Sequence, residues 1–273
     1  FRGDYQGNQF WSGEVTLVAD QVNPVEIATE GGNFTFTVLK GETDPLVGVK
    51  CYVFTESGSY LGISGTTDEN GQVAFDLATG QFKYRVDYLG YQYWSNVYDV
   101  PNTLDDIFTI PHQEVIITVQ ALYGTATLIE GVKVYLFTPS GSYLGQFQKT
   151  NVDGQIALYL PDQPYKVRVD YLGQQFWSDE FQSTNTTVTI NEGLAHIHVH
   201  RAGVDIEGVR VYLFSEGGSY LGQYETTDIA GDVEFLLPDR SSKFRVDEGG
   251  SQYWSPVVEI SAGEVNNIEI DLS

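Results

Sequence analysis

One short pattern recurs along the chain and sets the plan of everything between its copies. Residues 168–178 read Arg-Val-Asp-Tyr-Leu-Gly-Gln-Gln-Phe-Trp-Ser, and close versions occupy residues 85–95, 245–255 and 2–12. All four tryptophans, Trp11, Trp94, Trp177 and Trp254, lie inside these copies, at spacings of 83, 83 and 77 residues. So regular a period means tandem units. It is too long for a solenoid repeat and suits a small β-sandwich. The expected division is residues 1–30 as the closing strands of an incomplete repeat, then 31–111, 112–191 and 192–273 as three sandwich repeats.

Each repeat needs its own core, and 41% hydrophobic residues with 14% aromatics are enough to build three. No apolar run approaches the roughly 18 residues of a membrane helix, so no membrane insertion is expected of this segment. Fourteen Lys+Arg against 37 Asp+Glu give a formal charge of −23. That argues against nucleic acid as a partner, because phosphates must be neutralised rather than repelled. It favours solubility and attracts divalent cations. The single cysteine, Cys51, permits no intrachain disulfide. In Val49-Lys50-Cys51-Tyr52-Val53 it falls on the valine side of an alternating strand, the place of a small buried residue rather than of a nucleophile. The chain has no methionine, so its first residue is not an initiator, and a processed chain or an excerpt is expected. Asn33 and Asn185 open N-glycosylation acceptor triplets.

The repeats share one order of segments. In the first, Phe34, Phe36 and Val38 alternate with Thr35 and Thr37, the period of a half-buried strand. An apolar strand starting at Gly48, Gly131 or Gly208 comes next, then Gly-Ser-Tyr-Leu-Gly at 58–62, 141–145 and 218–222. Polar turns at residues 67–71, 150–154 and 227–231 follow, with Asp or Asn to close them and Gly for positive φ. About seven strands in 80 residues, with a turn every 8–12, is the signature of a Greek-key sandwich. Residues 25–29 read as a further strand of the N-terminal fragment. Links of a few residues, such as Asn191-Glu192-Gly193, favour a stiff rod over beads on a string.

The order Gly-Val-x-Val-x-Leu, then Thr-Asp-x-x-Gly, then an aromatic-rich strand ending in Val-x-x-x-Gly-Tyr resembles the prealbumin-like repeats of bacterial and archaeal surface proteins. These include carboxypeptidase-regulatory-like and collagen-adhesin B-type domains. The resemblance covers all three repeats and implies Ig-like sandwiches acting as a stalk, spacer or fibre outside the cell. Some adhesin relatives carry an internal Lys-to-Asn amide crosslink. Lys40 suits its lysine, but Gln120 and Arg201 stand near that place in the other repeats, and no matching acidic catalyst occurs in all three.

Alternation within the recurring hairpin separates its side chains by face. Val167, Val169 and Tyr171 face one way, Lys166, Arg168 and Asp170 the other. If Phe176 is core, Trp177 lies outside with Gln175, near Arg168 and Asp170. The cluster Arg168, Asp170 and Trp177 recurs as Arg85, Asp87 and Trp94, as Arg245, Asp247 and Trp254, and around Trp11. A clamp holding the hairpin's register is one reading; a repeated face for a neighbouring subunit or a glycan is the other. Tyr135 and Phe137, with Tyr52, Phe54, Tyr212 and Phe214, put more rings on that side, and repeated apolar exposure marks an interface.

His196, His198 and His200 share one strand face and are candidate zinc or copper ligands. Asp68, Asp153 and Asp228 are candidate calcium ligands, although no full calcium loop is present and turn closure explains each one singly. Arg2-Gly3-Asp4 spells an integrin tripeptide but sits at the register of a strand. No phosphate loop, nucleophile elbow or Cys–His pair is found. The expectation is a non-catalytic extracellular filament or stalk protein whose partners are other copies of itself or adjacent repeats, with residues 1–30 completed by strand addition. The alternative is an adhesin or carbohydrate-binding array that takes glycans on the Trp/Arg/Asp face.

Overall fold

A computed structural model describes residues 1–273 and is built of strands and turns without helix. A hairpin opens it, β1 (Arg2–Tyr5) and β2 (Asn8–Trp11). The first repeat holds β3 (Gly31–Lys40), β4 (Asp44–Pro45), β5 (Lys50–Thr55), β6 (Tyr60–Thr66), β7 (Gln72–Ala78), β8 (Gly80–Tyr88), β9 (Tyr91–Val100) and β10 (Asp105–Ile110). The second holds β11 (His112–Tyr123), β12 (Thr125–Leu128), β13 (Lys133–Phe137), β14 (Tyr143–Lys149), β15 (Gln155–Pro161), β16 (Pro164–Tyr171), β17 (Gln174–Trp177) and β18 (Phe181–Gln182). Strand β19 (Thr186–Arg201) ends that repeat and begins the next. The third continues with β20 (Val204–Asp205), β21 (Arg210–Ser215), β22 (Tyr220–Thr226), β23 (Asp232–Pro238), β24 (Arg240–Glu248), β25 (Ser251–Trp254), β26 (Val258–Ile260) and β27 (Val265–Asp271). By compactness the chain forms two units: Phe1–Gln113 with Tyr159–Gln163, and Glu114–Leu158 with Pro164–Ser273.

The fold class is the expected one, all-β with sandwiched sheets. In unit 1, β3 is flanked by antiparallel β7 and parallel β10, while β6, β5, β8 and β9 make the facing sheet. Phe34, Phe36 and Val38 of β3 are fully buried against Cys51, Val53, Phe82, Tyr84 and Val86 of that sheet. The Tyr84 ring stacks on Phe34 and Phe36 at 4.7 Å each. Each such side chain contributes roughly 1.5–3 kcal/mol. Burial also pushes the Cys51 thiol up to about 12, so the thiolate is suppressed, as its place on the valine face predicts. In unit 2 the third repeat has the same plan: β19 lies between antiparallel β23 and parallel β27, facing β22, β21, β24 and β25.

The polar turns are built alike. Asp68 Oδ1 accepts from Asn70 N and Gln72 N at 2.9 Å, and Asp228 Oδ1 accepts from Ala230 N and Asp232 N at 2.9 and 3.0 Å. In the second repeat Asn151, not Asp153, does this, accepting from Asp153 N and Gln155 N. Glycine ends each turn because its carbonyl bonds the opening strand: a Cβ on Gly71, Gly154 or Gly231 would lie 2.5–2.7 Å from a carbonyl oxygen there. The serine of the recurring pattern is a staple. Ser95, Ser178 and Ser255 accept through Oγ from the amides of Tyr84, Val167 and Phe244 at 2.9–3.0 Å.

Two expectations fail. Residues 25–29 form no strand, and none lies between Trp11 and Gly31; Thr29 O accepts from Thr79 N at 3.2 Å without a ladder forming, and Ile27 covers Gly3. Asn191-Glu192-Gly193 is not a link but the middle of β19, because Glu192 and Gly193 pair with Pro238 and Leu237 and carry the ladder across.

Candidate functional site

The recurring hairpin and the strand beside it form the same outer face three times. In the first repeat one cross-strand row is Ser64, Tyr52, Arg85 and Trp94, and the next holds Tyr60, Phe54 and Lys83. The second repeat matches with Phe147, Tyr135, Arg168 and Trp177, then Tyr143, Phe137 and Lys166. The third has Tyr224, Tyr212, Arg245 and Trp254, then Tyr220, Phe214 and Lys243. Alternation puts Arg and Trp on the same side of adjacent strands, which is where the sequence placed them.

Each arginine is held from two sides. Its Nε lies 2.8, 2.9 and 2.8 Å from Oδ1 of Asp87, Asp170 and Asp247, two residues further along the strand. Its guanidinium carbon sits 4.4, 4.8 and 5.5 Å from the Tyr52, Tyr135 and Tyr212 rings. The pair is partly exposed, the aspartate more than the arginine, so its charges contribute about 0.2–1 kcal/mol, and the ring contact about 0.5–1 kcal/mol.

One expected exposure does not occur. Phe54, Phe137 and Phe214 are buried although they point away from the sandwich core. Trp94, Trp177 and Trp254 cover them edge-on at 4.7–4.8 Å, and Tyr60, Tyr143 and Tyr220 lean on them at 5.3–5.5 Å. A register shift between strands brings each tyrosine over its phenylalanine. The covering rings are exposed, as are Phe147 and Tyr224 on the same faces: the tryptophans keep 42–45% of their surface in solvent. Trp11, whose hairpin lacks the strand that supplies Phe and Tyr, keeps 66%.

These faces also collect the positive charge. Lys50, Lys83 and Arg85 lie on the first, Lys133, Lys149, Lys166 and Arg168 on the second, and Arg210, Lys243 and Arg245 on the third. That is ten of the fourteen basic residues of a chain with formal charge −23. A concavity of about 310 Å³ beside the third face is lined by Gly218, Lys243, Trp254 and Ser255.

The other candidates are placed as follows. His196, His198 and His200 share one face of β19, and carboxylates engage all three, with Asp232 reaching both His198 and, at 3.8 Å, His196 Nε2. His198 Nδ1 is 2.8 Å from Asp232 Oδ1, His198 Nε2 is 3.5 Å from Asp205, and His200 Nδ1 is 3.7 Å from Asp271. No group of three or more His, Cys, Asp or Glu is arranged to hold a metal ion. Asp68 and Asp228 close turns, and Asp153 stands apart from that role. Lys40 ends β3 with its ammonium 5.0 Å over the Tyr159 ring. Arg2 pairs with Asp4 at 3.1 Å within β1, as in the other copies.

Sequence reasoning missed the tip of the hairpin. Gln6, Leu89 and Leu172 hold φ of 46–47°, each followed by a glycine. In unit 2 the Leu172 side chain packs against the core of the third repeat, Gln174 Nε2 donates to Asp239 O at 3.2 Å, and Arg240 donates to Leu172 O. Tyr171 Oη donates to Glu192 Oε1 at 3.3 Å. Glu192 is buried, which raises its pKa, and Tyr171 is pushed up to about 12 by burial and by that carboxylate. In unit 1 the tip of the N-terminal hairpin docks likewise: Gln6 donates to Asp76 O and accepts from Ala78 N at 3.1 and 2.6 Å. The signal was available, since a leucine at a hairpin turn is out of place unless something covers it.

No protein-family model matches the chain, and no curated protein matches it. Among solved structures it is similar to the Bacillus anthracis TIE protein, at TM-score 0.28 and 14% identity over 92% of this chain and 53% of that one. It is also similar to GBS52, the minor pilin of Streptococcus agalactiae, at TM-score 0.34 and 14% identity over 58% and 94%. A third is the shaft pilin spaA of Lactobacillus rhamnosus GG, at TM-score 0.31 and 12% identity over 59% and 98%. The chain spans about half the length of the first of these. TM-scores this low carry no argument about function.

Proposed function

We propose that this chain is a non-catalytic extracellular structural protein, a segment of a surface filament or stalk made of docked β-sandwich repeats. One observation carries the reading. Strand β19 runs 16 residues without a break, pairing with β11 at one end and with β23 and β27 at the other. A strand shared in this way, with Leu172 plugged into the next core, transmits tension through backbone ladders rather than through a loose linker. The resemblance to prealbumin-like surface repeats supports the extracellular setting.

Residues 1–30 fit the same reading. Strands β1 and β2 pair only with each other. In the repeats, the strand equivalent to β1 also pairs with β5, β13 or β21. The open edge of β1 is where a strand from another copy, or from a preceding stretch, would add. Negative-stain electron microscopy of the chain with and without residues 1–30 tests this. End-to-end fibres that vanish on truncation are expected; single short particles from both would sink assembly through this segment.

A further inference from the structure

Several core positions differ between the repeats while six outward positions of one sheet are the same in all three. Core positions on the first strand read Phe34, Val115 and Ala195, and on the hairpin strand Tyr84, Val167 and Phe244. The outward positions of the same sheets hold Tyr, Phe, Tyr, Lys, Arg and Trp in all three repeats without exception. Packing usually constrains the inside more than the outside. A register clamp alone needs one ring and one cation; it does not need a half-exposed Trp, a half-exposed Tyr and a lysine each time.

We propose that this face binds a polysaccharide carrying carboxylate groups on some of its sugars, one contact region per repeat. Trp and Tyr flank the buried Phe, at 4.7 and 5.3 Å from it in the first repeat. They give two neighbouring flat surfaces on which the C–H faces of successive sugar rings can stack. The lysine opposite that Phe, Lys83, Lys166 or Lys243, stands between them and meets a carboxylate. At the third face the concavity beside Trp254 and Lys243 offers room for a sugar. The remaining charge of the chain selects against densely charged polymers such as nucleic acid, which the acidic surroundings repel. Within a Debye length of roughly 8 Å the local positive face governs instead. A second copy of this chain is the rival occupant, through its acidic surface.

The test is titration of hyaluronate oligosaccharides, with a carboxylate on every second sugar, into the full chain, following tryptophan fluorescence and heat. Saturable binding is expected, absent with neutral dextran and weakened at least tenfold by Lys83→Gln, Lys166→Gln and Lys243→Gln together. The combined Trp94→Ala, Trp177→Ala and Trp254→Ala variant should lose it as well. The lysine variant keeps the fold testable if loss of the tryptophans unfolds the chain. No saturable signal, or binding indifferent to the lysine changes, overturns the proposal. So does concentration-dependent self-association that the same substitutions abolish while no saccharide binds. None of these outcomes bears on the scaffold reading, which rests on β19 and the hairpin tips.

Discussion

At the scale of single residues, local chemistry decides what each polar group is for. Asn151 closes its turn with two amide hydrogen bonds, and Asp153 does not. Asn151→Ala should therefore cost about 1 kcal/mol and Asp153→Ala close to nothing in urea denaturation; equal costs would contradict the turn assignment. Glu192 is buried beside Tyr171 with its pKa raised. A raised carboxyl pKa means the folded state binds the proton more tightly than the unfolded chain. The stabilisation is full below the ordinary carboxylate value and is lost as pH rises through the folded value. Relative to a Glu192→Gln variant, the wild type should lose stability between mildly acidic and neutral pH. Parallel melting curves for the two proteins would remove this account.

At the scale of elements, the recurring hairpin has a root, a face and a tip. The root is the serine staple, the face carries Arg, Asp and Trp, and in unit 2 the tip of the second repeat's hairpin packs on the third repeat. Leu172 is partly buried at that tip. Leu172→Ala should destabilise unit 2 by about 1–2 kcal/mol, below the 2–5 typical of a full core position. Chemical denaturation checks this, and a neutral result would mean that the tip rests on the third repeat without filling it. The face was legible in the sequence because period-two alternation fixes which side chains share a side. The leucine at the tip signalled a cover but not which one, because its partner lies in residues about 65 positions further on.

At the scale of the molecule, repeats 2 and 3 share a strand and a compact unit. They should unfold together. Inserting Gly-Ser-Gly-Ser between Asn191 and Glu192 breaks the ladder and should split one calorimetric transition into two. Separate transitions for the two halves of unit 2 in the unmodified chain would show that β19 does not couple them.

Period, alternation and turn chemistry are local, so the sequence by itself determined the all-β class, the polar turns, the buried Cys51 and the side of the sheet that Arg168 and Trp177 share. Tertiary structure alone decided three things, each resting on contacts between distant residues. Phe137 is buried because Trp177 and Tyr143 close over it. Residues 191–193 are strand because β23 pairs with two of them. The histidines sit among carboxylates because Asp205, Asp232 and Asp271 arrive from three other elements, Asp232 reaching both His196 and His198.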